Sequence, residues 1–174
     1  MKKMTLFSAL LLATTFAITS CNDNEDDDVS PNDTDRNFMS KAGYANRNEV
    51  DFAQLALSKS SNDSVKNFAQ MMITDHTAGI AGLDTLGTKF SFSLPTTIDS
   101  VHAAMKTQLS ALSGYRFDTA YMNGQIKDHT ATIDLFQNEL SQGRNPDVRG
   151  YASRNLPHIQ LHKQRADSIR EKLK

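Results

Sequence analysis

Glu49, His76, His129 and His162 each interrupt a run of apolar residues that recurs at helical spacing. Burying an imidazole or a carboxyl costs free energy unless the group is paired or ligated, so four such interruptions call for a common explanation. Three imidazoles and a carboxylate suit one zinc, manganese or iron ion. Two of the imidazoles would equally serve as axial ligands to a haem. The same residues could dispense with any ion, an ionised Glu49 accepting hydrogen bonds from the histidines and fixing how the helices register. Tyr121 and His158 stand one or two turns from His129 and His162 and are the expected supporting shell. Asp118 also falls on an apolar face, but it follows Phe117 where a helix is expected to begin, so it reads as a cap. Asp75 and Asp128 each precede a histidine by one residue and fit a helix flank or an outer-shell partner. His102 reads as a surface residue.

Other chemistries lack their residues. Ile73, Ile126 and Ile159 occupy the position three before each core histidine, so the Glu-x-x-His pairs of di-iron ferritin-like enzymes are absent. There is no His-Glu-x-x-His zinc motif, no phosphate-cradling glycine loop and no Gly-x-Ser-x-Gly nucleophile elbow. Met39, Met71, Met72, Met105 and Met122 read as core filler.

The elements that carry these residues are helices. Val is scarce, Ala, Leu, Gln, Lys and Met are plentiful, and Trp is absent, which favours helix over strand. Ala42, Ala45, Glu49, Phe52, Ala53 and Ala56 mark one face of a helix from about Phe38 to Ser60. Val65, Phe68, Ala69, Met72, Ile73, His76, Ile80 and Leu83 mark a second, stopped near Gly87. A short third helix, capped by Thr96 or Thr97, carries Ile98, Val101, Met105, Leu109 and Leu112. Ser113-Gly114 breaks it. Tyr121, Met122, Ile126, His129, Ile133 and Phe136 belong to a fourth helix, Phe117 to Leu140. After the Gly143–Pro146 turn, Ala152, Leu156, Ile159, His162, Ala166, Ile169 and Leu173 line a fifth, which Pro157 should kink or delay. Four helices of about 25 residues would each be ~37 Å long. A connection between the second and fourth that is too long for a hairpin gives the expected fold: an all-α, ferritin-like four-helix bundle with a short extra helix in the crossover. The four polar residues lie close to the four midpoints, so they should meet in one layer.

Ile73-Thr74-Asp75-His76-Thr77-Ala78 is echoed by Ile126-Lys127-Asp128-His129-Thr130-Ala131, a hint of duplication. Together with Asn48-Glu49-Val50-Asp51-Phe52-Ala53, Phe117-Asp118-Thr119-Ala120-Tyr121, and Leu156-Pro157 leading to His162, these runs resemble the exported bacterial proteins of domain of unknown function 4142, over roughly Arg36 to Leu173. The resemblance implies a ferritin-like bundle in the cell envelope and no established activity.

The N-terminus reads as an address. Lys2 and Lys3 precede an apolar stretch from Met4 to Ile18, too short for a membrane span and suited to a cleaved leader. Ile18-Thr19-Ser20-Cys21 then resembles a lipoprotein box, with Cys21 as the acceptor of diacylglycerol and palmitate. The expected organisation is a signal peptide at 1–20, an acidic disordered tether at 21–35 and the bundle at 36–174. Seven acidic residues between Asn22 and Asp35, with almost no apolar ones, underlie the tether. The expected location is the cell envelope, lipid-anchored in the outer membrane. Cys21 is the one cysteine in 174 residues, so no internal disulfide can form and the fold must rest on its core. A formal net charge of -1 gives no footprint for nucleic acid. The membrane, through the lipid, is the expected partner, and no protein partner is nameable. The residues point to a non-catalytic bundle with a buried polar layer, the alternative being a mononuclear metal or haem binder.

Overall fold

The computed structural model describes residues 29–173 as five helices: α1 (Asp33–Lys59), α2 (Asp63–Lys89), α3 (Ser100–Ser110), α4 (Gly114–Gln142) and α5 (Pro146–Lys172). The leader, Cys21 and the tether up to Asp28 lie outside the described residues. No helix among those described is long and apolar enough to cross a membrane.

Helix boundaries follow local capping chemistry. Asn32 accepts from the Asp35 amide while the Asp35 carboxylate accepts from the Asn32 amide, a reciprocal capping box that starts α1 at Asp33. Helix therefore begins five residues before Phe38 and takes in the last three residues of the expected tether. Asn62, Asp99 and Asn145 cap α2, α3 and α5 with their side-chain oxygens. Asp99, not Thr96 or Thr97, begins α3, and Val101 points outward at 65% exposure. Helix α4 begins at Gly114, whose φ of +54° suits the residue without a Cβ. Asp118 is thus a full turn inside and caps nothing, and its Oδ1 is buried without a partner among the described residues. Helix α5 runs through Pro157 without a late start.

The four long helices form a square. Helices α1 and α2 make one antiparallel hairpin, α4 and α5 the other, and the hairpins meet through α1 against α4 and α2 against α5. Asp35 at the start of α1 accepts from the amides of Arg144 and Asn145 after α4. The end of α4 therefore sits beside the start of α1, and residues 90–113 must cross the length of the bundle. That is the single long crossover of the expected fold. The crossover is seated on α1 where Gly43 leaves room for Pro95, a Cβ there meeting the proline ring at 2.9 Å. Helix α3 is held by Lys106 on Asp51 and by Asn48 on Asp99.

Two apolar clusters fill the interior. One gathers Phe52, Phe68, Met72, Phe117 and Met122; the other gathers Phe38, Met39, Leu83, Phe136 and Ile159. Between them lies a belt of buried polar residues.

Candidate metal centre

His76, His129 and His162 come from α2, α4 and α5 and meet in the middle of the bundle. Their ring centroids are 5.3–5.6 Å apart, and one nitrogen of each ring lies within 4.8 Å of one nitrogen of each other ring. All three are at most 6% exposed.

The surroundings of each ring decide which nitrogen carries the proton. His76 Nδ1 is 2.9 Å from Asn46 Oδ1. The Asn46 amide nitrogen already donates to the Ala42 carbonyl and to the Tyr151 hydroxyl, so its oxygen faces His76 and accepts. His129 Nδ1 is 2.9 Å from the Gln125 backbone carbonyl, which can only accept. His162 Nε2 is 2.8 Å from the Asp75 carboxylate. Each ring therefore donates outward through one N–H. The opposite nitrogens, His76 Nε2, His129 Nε2 and His162 Nδ1, are buried and have no hydrogen-bond partner among the described residues. Each carries a free lone pair. Burial, reinforced by the other two imidazoles, holds His76 well below the usual histidine range. Burial lowers His129 to about 4, against the Gln125 carbonyl and Asp128, and His162 to about 4, against Asp75. The three rings are neutral at pH 7.

Glu49 stands apart from this group. Its Oε2 accepts from the Gln125 amide at 2.6 Å, and its Oε1 lies 3.5 Å from His129 Nδ1, whose proton goes to the backbone. Burial pushes the Glu49 carboxyl up to about 8, with Gln125 opposing. At neutral pH it is mostly protonated, so the ionised Glu49 bridging several histidines is not the arrangement present. Asn46, about one turn (~5 Å) along α1, occupies the place opposite His76. Tyr121 is stacked on Phe117 in the apolar cluster, its hydroxyl without a hydrogen-bond partner among the described residues. Burial first, and Glu49 second, push its pKa well above 10, so it belongs with Glu49 rather than with the imidazoles. His158 is exposed and lines a cleft of about 130 Å³ that reaches His76 and His162. His102 is half-buried rather than on the surface, its Nδ1 2.7 Å from Asp99 and its Nε2 3.6 Å from Asp128.

Asn46, Gln125, Tyr151 and Gly79 were not among the residues expected here. Tyr151 donates to the Gly79 carbonyl, and a Cβ on Gly79 would collide with Asn46 Oδ1. The signal was present: Asn46 lies three residues before Glu49, and Gln125 one turn before His129, each on the buried face of its helix.

Three neutral imidazoles with outward N–H groups anchored and inward lone pairs free make a donor set for a transition-metal ion. In tetrahedral coordination at 2.0–2.1 Å, neighbouring nitrogens sit ~3.4 Å apart, so the rings need to close by about an ångström. The fourth position is left open.

Known proteins share this architecture. A DUF305 fragment from Deinococcus radiodurans superposes with a TM-score of 0.73 at 14% identity, over 83% of this chain and 99% of that one. CopM in its Cu(II)-bound form gives 0.67 at 17% identity, over 79% of this chain and 95% of that one. Its silver-bound form, obtained by co-crystallisation, gives 0.66 over the same shares. No curated protein matches the sequence. A family model, Domain of unknown function (DUF4142), matches residues 22–169, and the chain belongs to that family.

Proposed function

We propose that this bundle is a non-catalytic carrier or store for a single transition-metal ion, held by His76, His129 and His162 in the cell envelope. The observation that carries the reading is the set of three buried, unpartnered imidazole nitrogens, one from each of three helices. A layer serving helix register alone would spend its polar atoms on one another. Here the outward N–H groups are spent on Asn46, Gln125 and Asp75, and the inward nitrogens on nothing. An unsatisfied buried acceptor costs roughly 1–3 kcal/mol, and three together are a large fraction of a domain's ~5–15 kcal/mol. A cation relieves all three at once. Neutral imidazoles suit zinc, copper, nickel or iron. The fold shared with CopM, which has been seen with copper and silver, supports copper among the candidates. The adjoining cleft of about 130 Å³ has room for a few waters or a small anion, not for a porphyrin, so the haem alternative finds no support.

The leader and Cys21 support lipid anchorage in the envelope. Cys21→Ser should abolish incorporation of labelled palmitate and partition with membranes; fractionation like the wild type would refute the anchor.

For the metal, untagged protein should take up one equivalent of Cu(II) or Co(II) by titration with elemental analysis. His76→Ala and His129→Ala should each lose it while keeping a helical circular-dichroism spectrum. A wild type that binds no stoichiometric ion, or binding that survives both substitutions, would sink the reading.

A further inference from the structure

We infer that His158 is a transfer ligand, which takes an incoming metal ion at the mouth of the cleft and passes it to the buried histidines. The inference rests on the metal reading above and adds the path by which the ion arrives. Three observations carry it. The cleft that reaches His76 and His162 is lined at its outer edge by His158 and Asp75. His158 is exposed and makes no hydrogen bond or ion pair with any described residue, so neither of its nitrogens is committed to one. It stands one turn before His162 on α5, the spacing at which two helical side chains face each other.

No other imidazole or carboxylate on this path is as free. Asp75 is 39% exposed, but its Oδ2 is spent on His162. Asn46 and Tyr151, deeper in the cleft, are tied into the chain of hydrogen bonds that orients His76. A second cleft, about 400 Å³ between α1, α3 and α4, reaches Glu49 and His102 but touches none of the three core histidines.

The step is ligand exchange. A hydrated divalent ion loses one water to the His158 lone pair. His162 Nδ1 and His76 Nε2 then displace further waters as the ion moves inward, and His158 leaves as His129 Nε2 completes the set. Each core ring already holds its proton outward, toward Asn46, the Gln125 carbonyl or Asp75, so the nitrogen that receives the ion has none to lose. A ligand that visits the ion only between solvent and site lowers the barrier in both directions and leaves the end states unchanged.

The test uses Co(II), whose visible bands report tetrahedral coordination, in stopped-flow mixing with the full chain carrying Cys21→Ser so that no thiol competes. In His158→Ala, loading and chelator-driven release should both slow by about tenfold, with Kd within about twofold of the parent. His158→Asp returns a metal ligand to the same place and should recover most of the rate. Unchanged rates in His158→Ala would overturn the inference. So would a weaker Kd with an unchanged on-rate, which would make His158 a resident ligand, and so would equal slowing in the Ala and Asp variants, which would reflect cleft shape alone. If the parent chain shows no Co(II) bands at all, the metal site itself fails, and the transfer role with it. That result is distinct from a parent that loads normally beside an indifferent variant.

Discussion

Asn46 decides which lone pair His76 offers. Its own amide donors are fixed by Ala42 and Tyr151, so its oxygen can only accept, and His76 must carry its proton on Nδ1. Removing the acceptor frees the ring to rotate or change tautomer. Asn46→Ala should therefore weaken metal binding about 10–100-fold, the usual scale for such a partner, as read by competition with a chromophoric chelator. Gly79→Ala should act in the same direction without touching a ligand, because its Cβ needs the space of Asn46 Oδ1. Unaltered affinity in both variants would show that the tautomer is set elsewhere. At this scale the histidines were legible in the sequence because a polar residue on an apolar stripe violates the pattern around it. Their partners were not. Asparagine and glutamine are ordinary on helices, a backbone carbonyl such as that of Gln125 leaves no trace in the sequence, and the tautomers follow only once the neighbours are in place. Position along α1 groups Glu49 with the histidines, whereas its rotation about the helix axis hands it to Gln125.

The helices themselves were legible, since alternation of apolar and polar residues at period 3.6 survives any tertiary detail. Their ends were less so. The start of α1 depends on Asp35, which sits in an acidic run and looks like solvated spacer, yet it is fully buried where it receives the Arg144 and Asn145 amides. Asp35→Ala should cost about 1.5–3 kcal/mol by denaturant unfolding, the range for hydrogen bonds to a charged acceptor, and a change under half of that would show the contact to be incidental. Stripe membership also overstates burial at the margins. Leu156 and Ile133 are only half-buried, while Leu83 is 1% exposed in the cluster with Phe136. Leu83→Ala is the sharper probe of the core and should cost ~2–5 kcal/mol; a near-neutral effect would contradict that packing. Asp118 shows the opposite error: a preference for helix starts places a cap where α4 already has a complete turn behind it.

For the molecule as a whole, the buried groups pull stability in two directions with pH. His129 and His162 fall from 6.5 to about 4 on folding, and His76 falls well below the usual histidine range. Their contribution is full above pH 6.5 and is lost as pH falls toward 4, because the unfolded chain then binds protons that the folded one refuses. Glu49 and Glu139 rise from 4.5 to about 8, through burial and, for Glu139, the neighbouring Asp35. Their contribution is full below pH 4.5 and is lost as pH rises through 8. Between these limits three histidines outweigh two carboxyls, and above pH 6.5 only the carboxyl loss remains. The melting temperature of the metal-free bundle should therefore peak near pH 6.5 and decline on both sides; a monotonic profile across pH 4–9 would contradict this balance. One corner of the same molecule has a mechanical consequence. Asn145, which caps α5, also donates its side-chain amide to the Val29 carbonyl, while Asp35 ties α1 to the turn before it. A pull on the chain ahead of Val29 is thus shared between the two helical hairpins rather than peeling α1 alone. The histidines sit half a helix away, ~20 Å up the bundle. Under the proposed anchorage at Cys21, a load on the chain would enter both hairpins at this corner, with the candidate metal site well clear of it.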